Sequence, residues 1–253
     1  MRILRWLPLL LLLAGCVAPP RGTVYQVSTI DALLAGVYDG ETRFGEVMRH
    51  GDFGVGTFDG LGGEMVAVDG RCFEVRYDGR VLPVIPERRT PFAAVTFFEP
   101  RQMLPGLTAT NLAQLTAQLD SRLAATNRPC AIRIDGVFRF VRTRSVPPQR
   151  PPYPPLAEVA KSQAVFEFRD MAGTLVGFRC PAWMKGVNVP GYHLHFLTAD
   201  RTGGGHVLEL AGTNMAAAVD DCDAITVVLP RSQTFGAVNL DQDRSREMER
   251  VEK

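Results

Sequence analysis

A chain of 253 residues that is 46% hydrophobic and 22% charged is long enough for one or two globular domains and too apolar for a disordered or fibrous one. Its formal net charge of +1 comes without a long basic run, which excludes the electrostatic footprint of a nucleic-acid binder.

In chain order, the first element is a targeting signal. MRILRWLPLLLLLAGC carries Arg2 and Arg5, an apolar run from Leu7 to Leu13, and small residues before Cys16. The run is too short to span a bilayer and suits the core of a secretory signal. Leu13-Ala14-Gly15-Cys16 resembles the bacterial lipobox, so residues 1–15 are expected to be cleaved and Cys16 to become a lipidated N-terminus. Cleavage removes two of 28 basic residues against 27 acidic ones, a mature net charge of −1. The lipid would tether the protein to a membrane facing the periplasm. Val17, rather than an aspartate, after the cysteine points to the outer membrane of a Gram-negative cell. Residues 16–27 are then the lipidated cysteine and a linker containing APPRG.

Residues 28–150 read as an N-terminal α/β domain. Ser28 or Thr29 caps a predicted helix over IDALLAGVYDG, with Ile30, Leu33, Leu34 and Val37 on one face. A second short helix is expected from Phe44 to Arg49. EMVAV and CFEVRY form a hairpin across Asp69-Gly70, with another turn at Asp78-Gly79, and PFAAVTFF reads as a buried strand. Leu112, Leu115, Leu119 and Leu123 mark an amphipathic helix over 110–125. AIRIDGVFRFVRTR alternates apolar and polar residues and predicts a strand pair broken at Asp135-Gly136. VPPQRPPYPP then places six prolines in ten residues, which stops regular structure and divides the chain. Residues 151–253 form a β-rich C-terminal domain whose strand-like segments are AVFEFRD, GTLVGFRC, VPGYHLHFL, HVLEL and AITVVLP, followed by a charged tail from Asp241. Cys72, Cys130, Cys180 and Cys222 lack the CxxC spacing of a thiolate metal site; three disulfide pairings or buried free thiols remain open.

Three of the four histidines lie within VPGYHLHFLTADRTGGGH, residues 189–206. On a strand, His193 and His195 share a face while Tyr192, Leu194 and Phe196 take the other. TADRTGGG has the turn chemistry to return the chain antiparallel, so that His206 opens the partner strand beside the first two. Three imidazoles on one face suit a catalytic zinc site with positions left for substrate. The alternative is that HLH lies on a solvated face and His206 only starts a strand. Two other functional readings share the trio: a zinc hydrolase or hydratase, and a non-catalytic periplasmic zinc-binding lipoprotein. His50 carries no assigned role.

GDFGVGTFDGLGGEMVAVDG at 51–70, TPFAAVTFFEP at 90–100, VRTRSVPPQ at 141–149 and GTLVGFRCP…NVPGYHLHF…GGHVLEL at 173–210 together resemble the alpha-acetolactate decarboxylase family, from about Tyr25 to the C-terminus. The resemblance implies decarboxylation of (S)-2-acetolactate to (R)-acetoin and CO2, through a metal-stabilised enediolate and stereospecific protonation. It implies Zn2+ held by His193, His195 and His206, with Arg144 as carboxylate clamp and Glu64 as one catalytic carboxylate. A second carboxylate belongs to the tail: counting without gaps from GGHVL reaches Glu252, with Glu249 as fallback. Thr57, in GVGTF, is a candidate substrate-binding residue. The expected fold is α/β of the α+β type, two sheet-rich halves with mixed or antiparallel sheets and a few helices. The zinc site is expected on strands of the C-terminal half, and a homodimer is expected in solution. Glu64 and Arg144 argue against a simple metal carrier, which needs no carboxylate clamp.

Overall fold

A computed structural model describes residues 22–123 and 127–252; the expected signal and Cys16 lie outside them. Eight short strands come first: β1 (Thr23–Val27), β2 (Thr42–Arg43), β3 (Phe53–Thr57), β4 (Glu64–Val68), β5 (Arg71–Val75), β6 (Val81–Pro83), β7 (Arg89–Thr90) and β8 (Ala93–Thr96). Then follow β9 (Gln102–Ala109), β10 (Cys130–Ser145), β11 (Ala164–Cys180), β12 (Gly191–Thr198), β13 (Gly204–Asp221) and β14 (Ala224–Val228). One sheet has the order β14-β1-β8-β3-β4-β5-β6 and is mixed, because β14 joins β1 in parallel while the other pairs run antiparallel. The second, antiparallel, has the order β10-β11-β12-β13-β9 and curls until β10 also pairs with β13. Mixed and antiparallel sheets with a few short helices agree with the expected fold class.

The sheets do not divide the chain at residue 150. β9 and β10 precede that point yet build the second sheet, and β14 follows it yet edges the first. The proline-rich segment is a crossover pinned to the body of the protein: Tyr38 Oη donates to Pro154 O at 2.8 Å, and Tyr153 Oη to Asp39 at 2.9 Å. Proline blocks ladder pairing locally and has no say in which distant strands meet. The expected break at Asp135-Gly136 is absent as well, because both residues stay paired with β11 instead of turning. β10 is one strand of 16 residues, with Gly136 opposite Gly173 in β11, and only its pairing with β13 shifts register there.

Other local expectations hold, with shorter boundaries. Thr29 Oγ1 accepts from Ala32 N and caps a helix that ends at Leu34. The second short helix spans Phe44–Val47. Asn111 caps Leu112–Asp120, which buries Leu115 and Leu119. Asp69 and Gly70 both have positive φ, 54° and 71°, as a tight hairpin turn between β4 and β5 requires. The charged tail forms a helix, Ser245–Glu252, with Met248 and Val251 turned inward. All four cysteines among the described residues are free thiols.

Burial explains how the sheets lie together. Val55, Val66 and Val75 of the first sheet pack with Val176, Phe178 and Leu197 of the second in one apolar layer. Each such side chain contributes about 1.5–3 kcal/mol when fully buried. Leu194, Phe196, Val207 and Leu210 face the other way, into a separate core with Leu115 and Phe138. A third cluster joins Ile30, Leu34, Leu61 and Leu156 to Met248 and Val251 of the C-terminal helix.

Candidate active site

Alternation along β12 sends Leu194 and Phe196 to one core and leaves His193, His195 and Leu197 facing the first sheet. Thr198 accepts from the amides of Thr202 and Gly203 and so closes the turn into β13, which sets His195 directly opposite His206. Gly205 makes that register reachable. It has φ 129°, and a Cβ there would lie 2.5 Å from Arg144 O. On its other side His206 pairs with Arg144 of β10. Gly177 of β11 likewise leaves room for β12, since a Cβ on it would meet His193 O. His193, His195 and His206 are 7%, 1% and 2% exposed, which rules out the solvated face.

The three ring centroids lie 5.0 to 5.3 Å apart, and one nitrogen from each falls within 4.8 Å of the others. His193 Nε2 and His195 Nε2 are 3.2 Å apart, near the roughly 3.4 Å separation of two nitrogens bound tetrahedrally to one ion at about 2.1 Å. Met65 O lies 2.8 Å from His195 Nδ1 and so receives its proton, turning the Nε2 lone pair toward the other rings. His206 Nε2 is buried without a hydrogen-bond partner, as is Oε2 of Glu252, 3.7 Å away. Unpartnered buried polar atoms converging on one point are what a metal centre requires. The donor set therefore fits a divalent ion.

Carboxylates and a guanidinium complete the cavity. Glu64 opens β4 beside Thr57 of β3, on the same face as Val66, and so points at the second sheet. Its Oε2 lies 3.7 Å from His195 Nε2, and its Oε1 is 3.5 Å from Arg144 Nη1. Arg144 Nη2 donates to Val251 O at 3.0 Å and stands 3.8 Å from Glu252 Oε1; its Nε has no partner. Glu252 Oε2 is also 3.8 Å from His193 Nε2. Glu249, by contrast, is exposed and does not line this cavity. Thr57 lines the cavity while its hydroxyl donates to Gly63 O at 2.8 Å. His50 lies elsewhere, stacked on Tyr25 at 3.9 Å between ring centroids.

Burial sets the charge states. It raises Glu64 to about 7, opposed by Arg144 and reinforced by Glu252. Glu252 rises to about 7 for the same first reason, again opposed by Arg144. Burial, aided by Arg144, lowers His193 to about 3, and burial drives His195 and His206 well below their usual range. Neutral imidazoles offer their lone pairs without competition from protons. The carboxyls titrate near neutrality, where a group can both give and take a proton.

Thus the histidines do occupy strands of the C-terminal half, but the cavity lies between the two sheets and under the C-terminal helix. The carbonyls of Met65 and Val251 left no trace in the sequence reading, since every residue has a carbonyl. The apolar wall of Ile30, Leu33, Leu61, Phe92, Val146 and Leu156 was also missed; each residue reads locally as ordinary core.

A profile of the alpha-acetolactate decarboxylase family matches residues 24–242, ending before the C-terminal helix. The chain is 49% identical over 230 residues to the alpha-acetolactate decarboxylase of Methanosarcina mazei, covering 91% of this chain and 80% of that one. It is 46% identical to that of Methylococcus capsulatus, covering 88% and 84%. The crystal structure of the Bacillus subtilis strain 168 enzyme, 38% identical, superposes with a TM-score of 0.88 over 91% of this chain and 99% of that one.

Proposed function

Since the chain belongs to the alpha-acetolactate decarboxylase family, we propose that it converts (S)-2-acetolactate to (R)-acetoin and CO2 with a zinc ion held by His193, His195 and His206. The observation that carries this reading is the meeting, in one buried cavity, of three neutral imidazoles, a guanidinium and two carboxyls poised near neutrality. Bound there, the ion would supply Lewis acidity, a fixed positive charge beside the oxygens on which negative charge develops.

The protein's own groups do the rest. Arg144, with an unused Nε–H, holds the substrate carboxylate in a planar fork until its carbon leaves as CO2. Breaking that C–C bond leaves an electron pair that delocalises toward the neighbouring carbonyl. One of Glu64 and Glu252 takes the hydroxyl proton and returns it to the same oxygen, while the other, protonated near pH 7, delivers a proton to one face of the carbon. The apolar wall leaves little room for water beside that carbon, which favours protonation of one face.

The purified protein, loaded with zinc and given racemic acetolactate, is expected to consume the (S) form and yield (R)-acetoin. His195→Ala should lose bound metal and turnover together. Racemic acetoin, or full activity in metal-free protein, would overturn the reading. We further propose that Cys16 carries the lipid anchor; labelling by a fatty-acid analogue should disappear in Cys16→Ser and persist in wild type.

A further inference from the structure

The turn from β3 to β4 holds a residue in an unusual state. Gly60 and Leu61 both adopt left-handed backbone, with φ 65° and 58°. Glycine does so freely, whereas the Cβ of leucine crowds the adjacent carbonyl. Among the described residues, six non-glycines have positive φ, and Leu61 alone of them has an aliphatic side chain. A glycine would suit this backbone without strain, so only its side chain gives leucine an advantage here.

The turn cannot relax, because it is held on several sides. Gly60 N donates to Tyr38 O at 2.9 Å, and Gln149 N donates to Gly60 O at 2.6 Å. Asp59 Oδ1 accepts from Gly40 N at 2.6 Å, and Thr57 anchors Gly63. Strain kept in place by surrounding structure concentrates at functional sites. Leu61 is 1% exposed and lines the same cavity as Arg144, Glu64 and the three histidines. Ile30, Leu33 and Leu156 also face the cavity, from short helices in the same apolar cluster.

We infer that Leu61 is a specificity-determining residue, its fixed side chain setting the largest alkyl group that the substrate can carry on its hydroxyl-bearing carbon. The inference rests on the decarboxylase reading above and names the part of the cavity that measures the substrate. An unyielding wall rejects one extra methylene by about tenfold to 200-fold, whereas a wall that retreats rejects little.

The test compares kcat/KM for acetolactate and for its homologue with an ethyl group in place of that methyl. Leu61→Ala and Leu61→Gly should shift the ratio toward the homologue by about tenfold or more. Leu34→Ala, equally buried in the same cluster but away from the cavity, should lower the melting temperature and leave the ratio unchanged. Leu61→Met keeps the volume on a flexible chain and should shift the ratio in the same direction, which covers unfolding of the truncated variants. An unchanged ratio in the folded Leu61 variants, with wild type active, would overturn the assignment alone. Absence of turnover in metal-loaded wild type would overturn the decarboxylase reading and the inference with it.

Discussion

Five buried side chains of the cavity make the stability of the metal-free protein depend on pH. The histidine pKa values are depressed on folding, so their contribution to stability is present above about 6.5 and lost as pH falls. Glu64 and Glu252 are raised, so their contribution is present below about 4.5 and lost as pH climbs toward 7. Midway between 4.5 and 6.5 the unfolded chain carries three protons on the histidines, and the folded one carries two on the glutamates. The difference of one proton makes stability fall by about 1.4 kcal/mol per pH unit of acidification. Below 4.5 the unfolded glutamates protonate too, and these groups steepen the fall to about three times that slope. Urea unfolding of chelator-treated protein from pH 6.5 to 3.5 should show a shallow limb and then a steep one; stability that rises on acidification across that range would contradict the burial of the histidines.

Among the elements, the C-terminal helix is the one that composition misreads. Its eight residues are mostly charged and too few to hold a helix alone. Met248 and Val251, three apart, fasten it to the cluster around Ile30 and Leu156, and Asp243 just ahead of it accepts from Lys185 at 2.8 Å. Thereby it supplies two parts to the cavity, the carboxyl of Glu252 and the carbonyl that orients Arg144. Deleting residues 245–253 should leave the sheets folded and metal bound, by circular dichroism and metal stoichiometry, while kcat falls at least about a hundredfold. Near-normal turnover in the truncated protein would remove the helix from the machinery. The hairpin from β12 to β13 is the opposite case: its alternation and glycine-rich turn predicted the shared face of the histidines, and the structure has it.

At the scale of the whole molecule, the cavity joins the two sheets: Glu64 and the Met65 carbonyl come from one, the histidines and Arg144 from the other. An ion bound there favours only the folded state. Removing it should lower the unfolding free energy by about 2.7 kcal/mol relative to protein held at a hundredfold excess of free metal over Kd. His206→Ala should abolish that increment in thermal melts with and without metal. What sequence alone determined is local: the periods of strands and helices, the turns, and the histidine hairpin, because alternation and turn geometry depend on neighbours a few residues apart. Only the tertiary structure decided that Glu64 meets Arg144 across 80 residues and Arg144 meets Val251 across 107, and that strands cross the proline-rich segment to complete each other's sheets. Those meetings follow from long-range pairing and shared burial, which leave no signature in any short stretch of chain.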